Sequence, residues 1–192
     1  DWYIESCKKI KYMFPKAHAA AYVLSAIRVA WWKLYYPREY YAVYFTTRCD
    51  AYDIETMVKG KEAILLRKQE IEKAKQEYKA TKKEEDLLSM FEIALEMYER
   101  GFHFSNVSLD KSAASQFTLD LDDEHALVPP FTCIDGLGEA VAISVVEARK
   151  ENPFLSKEDV VKRTRLNNSQ IKFMTKINVF AGMEEENQLS LF

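Results

Sequence analysis

Residue types that often mark a specialised site are scarce in this chain of 192 residues. It has three cysteines and three histidines, all scattered, which argues against a zinc site and against a disulfide framework. No apolar run approaches the roughly 20 residues of a membrane-spanning helix, so no membrane contact is expected. Glycine is scarce too, yet two of the five stand two positions apart, at Gly136 and Gly138. Hydrophobic residues make up 48% of the chain, enough to bury a core.

The net charge of −3 conceals an uneven distribution. Residues 1–48 carry eight Lys/Arg against three acidic side chains, residues 49–130 carry eleven against eighteen, and residues 131–183 carry eight against six. Because salt screens charges within roughly 8–10 Å, the local field matters more than the total. Two basic ends around an acidic middle can therefore contact a polyanion at two places.

The two glycines open a segment with the pattern of a helix-hairpin-helix. Residues 134–149 read IDGLGEAVAISVVEAR, in which an apolar residue precedes Gly136 and an amphipathic run follows Gly138. Glycine permits a tight turn and places no side chain between the hairpin amides and a ligand. The following helix begins with unpaired N–H groups at the positive end of its dipole, which suits a phosphate oxygen. The pattern predicts binding to a DNA backbone without base readout, and an ordinary glycine turn is the alternative.

The candidate DNA-binding residues are the hairpin itself and polar side chains that follow it. The basic members would neutralise phosphates, and simple solvation of each is the alternative. The set comprises Gly136, Gly138, Glu139, Lys150, Lys157, Lys162 and Arg165.

The remaining pattern predicts a mainly α fold. Thr81 and Glu84 have the spacing of a capping box. Asp53 and Ser156 are suited to cap two further helices, and Asn178 to end one in the left-handed conformation. Besides the helix after the glycines, helices are expected over residues 2–13, 15–36, 38–46, 61–79, 81–101 and 169–177.

Residues 102–130 differ from the rest. Residues 117–119 and 126–128 are expected to form short strands around an acidic turn, and two prolines at 129–130 to mark a boundary. The carboxylates of the turn are expected to be solvated; they are Asp120, Asp122, Asp123 and Glu124.

A second candidate site lies in residues 14–37, FPKAHAAAYVLSAIRVAWWKLYYP. Its candidate residues, expected near the start of one long helix, are Lys16, His18, Tyr22 and Arg28. Because His18 and Tyr22 are four positions apart, they share a face of that helix. A lysine, a histidine donor and the helix N-terminus could neutralise a triphosphate, with Tyr22 against the base. The alternative is an ordinary core helix with a structural histidine.

Three segments resemble bacterial replicative DNA polymerase III α subunit of the PolC type, found in low-GC Gram-positive bacteria. Residues 14–48, which continue the string above with REYYAVYFTTR, resemble its fingers region. Residues 92–112, EIALEMYERGFHFSNVSLDKS, resemble the segment between the fingers and the duplex-binding domain, and residues 128–138, VPPFTCIDGLG, the start of its tandem helix-hairpin-helix. The resemblance covers essentially the whole chain. Asn178 stands in place of a second-hairpin glycine, so phosphate binding by that hairpin stays open.

The last five residues, QLSLF, are similar to the sliding-clamp-binding peptide of bacterial clamp partners. Leu191 and Phe192 can fill an apolar pocket while the Gln188 amide bonds at its edge, and Leu189 belongs to the same set. Residues 184–187 are expected to be a polar tether that becomes ordered only on binding. A frayed terminus is the alternative.

The resemblance implies the C-terminal part of a cytoplasmic DNA-directed DNA polymerase at the replication fork. The expected divisions are helical fingers over 1–100, a short-strand connector over 101–130, a tandem helix-hairpin-helix over 131–183 and a clamp-binding tail over 184–192. The implied partners are primer-template DNA, dNTP, the sliding clamp (β subunit) and other replisome subunits.

The catalytic machinery is expected to lie outside this chain. In the family that the chain resembles, the aspartates that hold Mg²⁺ belong to an upstream palm domain, so no catalytic or metal-binding residue is assigned here. The first residue is Asp1, not methionine, which agrees with truncation. The fragment alone is therefore expected to be inactive, and a non-catalytic DNA-binding or clamp-adaptor module is the alternative.

Overall fold

The computed structural model describes residues 1–9 and 15–186, and it confirms the mainly helical fold. Three short strands form the one sheet of the described residues: β1 (His103–Phe104), β2 (Thr118–Leu119) and β3 (Ala126–Val128). The helices are α1 (Trp2–Lys9), α2 (Lys16–Tyr35), α3 (Pro37–Arg48), α4 (Ile54–Val58), α5 (Lys61–Gln76), α6 (Lys82–Glu99), α7 (Glu139–Glu151), α8 (Lys157–Arg163) and α9 (Asn168–Lys176).

Two compact units divide the chain, Asp1–Pro37 and a larger unit from Arg38 onward. The smaller unit contains α1 and α2. No side chain of α2 is buried, and its large apolar residues are 47% to 65% exposed, Tyr22, Ile27 and Trp32 among them. Its aromatic side chains therefore form no core within this structure.

The larger unit has one hydrophobic core, which extends from Tyr41 to Phe180. The long helix α6 buries Leu87, Phe91 and Ala94 at spacings of three and four, which places them on one side of the helix. Because one cluster extends through the proposed connector and the helical hairpins, packing alone does not separate them. The four-part division of the chain stays a prediction.

The expected helix caps are confirmed. The Asp53 side chain accepts a hydrogen bond from the Thr56 amide at the start of α4, and Thr81 and Glu84 form the capping box of α6. Ser156 accepts from the Asp159 amide at the start of α8. These bonds satisfy amides that lack a partner within their own helix.

The sheet has the order β1-β3-β2, with β1 parallel and β2 antiparallel to β3. The hairpin of β2 and β3 confirms the two expected strands, whereas β1 was not expected from the sequence. Two hydrogen bonds fix the backbone that follows β3. The Ser112 hydroxyl donates to the Pro129 carbonyl at 2.7 Å, and the Phe131 amide donates to the Ala113 carbonyl at 3.0 Å.

The expectation that all carboxylates of the acidic turn are solvated is wrong for Asp120. This residue is 5% exposed, and its Oδ1 lies 2.7 Å from the Lys111 Nζ. The hydrogen bond from Lys111 lowers the pKa of Asp120. Arg38 in α3 also donates to the Asp120 carbonyl, at 3.2 Å, and to the Asp123 carbonyl, at 3.1 Å. The turn is therefore held by two cations, while Asp122 and Glu124 remain exposed.

Candidate nucleic-acid interface

The glycine hairpin is a tight, well-anchored turn that leads into α7. A 3₁₀ turn over Phe131–Cys133 precedes it, and the Leu137 amide donates to the Ile134 carbonyl at 3.0 Å. Ile134 and Leu137 are buried, which fixes the hairpin to the core, whereas Gly136 and Gly138 are exposed. The hairpin therefore exposes its glycine backbone to solvent while its apolar side chains pack into the core.

The two glycines serve different purposes. Gly136 has φ +73°, a left-handed conformation that favours glycine. Gly138 has φ −74° and ψ 161°, which any residue adopts, and a Cβ built there would meet no atom within 4 Å. Neither backbone conformation nor packing therefore requires glycine at 138. It is the N-cap of α7 and provides no side-chain cap, so the first two amides of the helix, those of Glu139 and Ala140, are left for a ligand, while the Val141 amide donates to the Gly138 carbonyl at 3.0 Å.

The second hairpin lies between α8 and α9, not at Asn178. Asn167 begins α9 with a capping box formed with Gln170, after a loop over residues 164–167. Asn178 follows the end of α9 at φ +61°, which confirms the expected left-handed cap. Its assignment to a hairpin tip is wrong, because Asn178 follows the end of α9 and no helix starts after it among the described residues.

The candidate DNA-binding residues are spread over the glycine hairpin, α7, α8 and the second hairpin loop. Glu139 begins α7 and accepts a hydrogen bond from the Ser115 hydroxyl at 3.2 Å, and Arg165 lies in the second hairpin loop. Lys150 is twelve residues after Gly138, about 18 Å further along α7, so the two cannot contact one phosphate. The structure therefore does not bring Lys150 to the glycine hairpin.

Two candidate lysines are engaged within the protein. The Lys162 Nζ lies 2.5 Å from Glu158 Oε1 within α8. The Lys157 Nζ lies 3.3 Å from Glu185 Oε1 and 5.6 Å from the centre of the Phe180 ring. Lys150, Arg165 and also Lys172, which was not among the candidates, are exposed and make no ion pair with the described residues, so they are the available cations of this region.

The start of the expected tether is anchored, which corrects the expectation for Glu184 and Glu185, whereas residue 187 lies outside the described residues. The amides of Lys157 and Glu158 donate to the carbonyls of Glu184 and Glu185 at 2.9 and 3.0 Å. These main-chain bonds occupy the first amides of α8, where the helix dipole also favours acidic neighbours. The tail candidates Gln188, Leu189, Leu191 and Phe192 lie outside the described residues.

The nucleotide candidates all lie on α2, but they do not form one cluster. Lys16 is its first residue, and the His18 and Tyr22 rings lie 4.5 Å apart in edge-to-face contact, which confirms that they share a face. Arg28 is twelve residues beyond Lys16, about 18 Å along the axis, so it is not near the start of the helix. Lys16, His18 and Tyr22 are exposed.

No metal centre is assembled within the part of the chain that the structure describes. No group of three or more His, Cys, Asp or Glu side chains there could hold an ion. Asp120, the buried carboxylate of the acidic turn, is paired with Lys111. The described residues therefore do not fit a polymerase magnesium site.

Two other features limit the chemistry of this region. Burial raises the pKa of the Cys49 thiol to about 11 and raises that of Cys133 as well, so neither is a thiolate near neutral pH. Within residues 1–9 and 15–186, no helix is both long and apolar enough to cross a bilayer.

Comparison with known proteins shows which polymerase the chain resembles. A model of the helix-hairpin-helix motif matches residues 101–189. All 192 residues align with DNA polymerase III PolC-type from Oceanobacillus iheyensis and from Pediococcus pentosaceus, each at 50% identity, and from Bacillus subtilis at 47%. The chain is homologous to part of PolC-type DNA polymerase III. It spans 13% of the length of each of these relatives, and the match confirms the resemblance inferred from the sequence segments.

Sequence reasoning missed the polar side chains that fix the two hairpins. Gln170 and Ser144 each bond to the backbone of the other hairpin. Arg163 donates to the Ala148 and Asn152 carbonyls at the end of α7 and lies over the Phe154 ring, which holds α8 against α7. The one available signal was Gln170 itself, three residues after Asn167, as in a capping box.

Proposed function

We propose that this chain is the part of a DNA-directed DNA polymerase that holds the primer-template duplex, faces the incoming dNTP and tethers the enzyme to the sliding clamp. The homology to PolC-type DNA polymerase III and the helix-hairpin-helix motif support the polymerase context. The site of action is the cytoplasm, where other replisome subunits are further partners.

Gly138 carries the duplex-binding proposal. Glycine is not needed there for the fold, and its lack of a side chain leaves the start of α7 open. A phosphate oxygen can approach the amides that begin α7, and Arg165 supplies a nearby cation on the second hairpin. Lys150 and Lys162 are proposed to contact phosphates further along the duplex. Lys157 is proposed mainly to anchor the tail through its ion pair with Glu185.

Duplex binding can be tested with the chain as it stands. Fluorescence anisotropy would measure its affinity for two labelled duplexes of equal length and unrelated sequence, over a range of salt concentrations. Equal affinities that fall steeply with salt are expected, because phosphate contacts carry no base information and release counterions. A strong preference for one sequence, or no binding at low salt, would contradict the proposal.

The start of α2 is proposed to face the triphosphate. Lys16 and the α2 amides would neutralise its charge, while the edge-to-face pair of His18 and Tyr22 presents a donor and an aromatic ring on one side. Arg28, further along the helix, would act separately on the nucleotide. Steady-state kinetics of the polymerase that contains this chain test these roles.

The clamp contact is proposed for Gln188–Phe192, which follow the anchored residues Glu184 and Glu185 along the chain. The Glu185 carbonyl is bonded to the first turn of α8, and Gln188 follows three positions later along the chain. A short tether raises the effective concentration of a peptide at its partner.

Catalysis is proposed to require residues outside this chain. Mg²⁺ would be held elsewhere in the polymerase, since the described residues assemble no site for it. Primer extension by the isolated chain should therefore be undetectable, and addition of the remaining polymerase is needed for activity. A non-catalytic clamp adaptor would instead support clamp binding in cells without any polymerase domain attached.

A further inference from the structure

We infer that Gln170 and Ser144 are positioning residues that hold the two hairpins as one phosphate-binding unit. The inference rests on the proposed duplex binding and concerns how the hairpins keep a common geometry. In each case a side chain from the helix that follows one hairpin bonds to the backbone of the other hairpin.

Gln170 connects α9 to the glycine hairpin. It is 5% exposed, and its amide group makes two bonds. The Oε1 accepts from the Asn167 amide at 2.9 Å, which completes the cap of α9. The Nε2 donates to the Gly136 carbonyl at 2.8 Å. One buried side chain therefore orients the start of α9 and the tip of the first hairpin together.

Ser144 makes the reciprocal connection from α7. Its hydroxyl donates to the Val141 carbonyl at 2.7 Å, which orients the oxygen, and accepts from the Arg165 amide at 3.1 Å. Arg165 lies in the loop that precedes Asn167 and α9. The helix of the first hairpin thus fixes the loop of the second.

Reciprocal bonds of this kind matter because a duplex backbone has nearly fixed phosphate spacing. Two contacts held at a matching spacing act as one bivalent site, in which the second contact forms at a high effective concentration. If the hairpins move independently, part of that advantage is lost as ordering entropy. Loss of either bond should therefore weaken duplex binding even though neither side chain needs to touch DNA.

Three variants of the 192-residue chain test these bonds, and two of them separate the two bonds of Gln170 from the charge that a glutamate introduces. Gln170→Glu keeps the acceptor that caps α9 but removes the donor to Gly136, while Gln170→Met removes both and stays neutral. Ser144→Ala removes the acceptor of Arg165. Gln69→Met on α5 and Ser89→Ala on α6 are matched controls at exposed positions away from the hairpins.

Duplex affinity at low salt and thermal unfolding would be measured for each variant, with binding recorded well below the unfolding midpoint. We expect about fivefold to tenfold weaker binding for Gln170→Met and Gln170→Glu, and about threefold for Ser144→Ala, with the controls unchanged. Any additional loss in Gln170→Glu due to its charge should shrink as salt increases.

A double-mutant cycle with Gly138→Val identifies the route of the effect. If Gln170 acts through the glycine hairpin, Gln170→Met should change affinity less than twofold once Gly138→Val has blocked that hairpin. Two results would overturn the inference, provided that Gly138→Val alone still weakens binding. One is an equal loss of affinity on Gln170→Met in the wild-type and Gly138→Val backgrounds. The other is unchanged affinity in all three positioning variants. No effect of Gly138→Val would overturn the proposed duplex site itself.

Discussion

Gly138→Val is the most direct perturbation of the duplex-binding hairpin. Its φ of −74° suits valine, and a Cβ there meets no atom within 4 Å, so the fold should tolerate the change. Valine is a poorer N-cap than glycine, which should cost about 0.5–1 kcal/mol of stability. For a unit of this size, that corresponds to a fall of roughly 1–4 °C in Tm.

The effect on binding should be larger than the effect on stability. The branched side chain would stand at the start of α7, between a phosphate and the first-turn amides. A hydrogen bond to a charged group contributes about 1.5–3 kcal/mol, so loss of one such bond predicts roughly 10- to 100-fold weaker binding. Because no base contact is involved, the loss should be the same for duplexes of different sequence.

Salt titration distinguishes this backbone contact from a cationic one. The dependence of affinity on salt arises mainly from Lys and Arg, so Gly138→Val should leave its slope nearly unchanged. Arg165→Gln is the matched comparison, because removal of one phosphate-neutralising cation should reduce the slope by about 0.9. Equal affinity of wild type and a folded Gly138→Val variant would refute the reasoning, as would a loss confined to one DNA sequence.

Three further predictions concern other parts of the chain. Lys111→Met should destabilise the fold at pH 7, because it removes the cation that pairs with the buried carboxylate of Asp120. Since this pairing lowers the folded-state pKa of Asp120, the stabilisation is fully present above the ordinary Asp pKa and is lost as pH falls through the folded-state pKa, so the urea unfolding curves of wild type and variant should converge at acidic pH. Equal stability of the two proteins at pH 7 would argue against the pair. In the complete polymerase, Lys16→Ala and His18→Ala should raise KM or lower kcat for dNTP with primer-template affinity unchanged; unaltered kinetics would remove both from the nucleotide site. Deletion of Gln188–Phe192 should shorten processive runs with the clamp but leave clamp-free extension intact, and clamp-dependent runs that survive would assign the contact elsewhere.

Much of the local structure could be predicted from sequence because its partners lie close along the chain. The capping box of Thr81 and Glu84, the left-handed Gly136 and the cap at Asn178 each depend on bonds within a few residues. The apolar spacing of α6 likewise indicates which side faces the core. The glycine hairpin is therefore recognisable from the sequence alone.

Long-range pairing was not predictable in the same way. The sequence suggested a solvated acidic turn, yet Asp120 is buried, Lys111 pairs with its carboxylate and Arg38 donates to its carbonyl. The tail base appeared to be a free tether, yet its carbonyls bond to the start of α8, where Lys157 pairs with Glu185. In both cases the outcome depends on groups that meet only after distant segments pack together.

The sequence by itself therefore determined the helices, their caps, the glycine turn and the polymerase homology, because each depends on neighbouring residues or on the order of motifs. Only the tertiary structure decided which cations remain available, where the second hairpin lies and how it is joined to the first. The bond between Gln170 and Gly136 spans 34 positions of the chain. Such a bond exists only when two helices bring a buried donor to an acceptor, and no local pattern encodes that geometry.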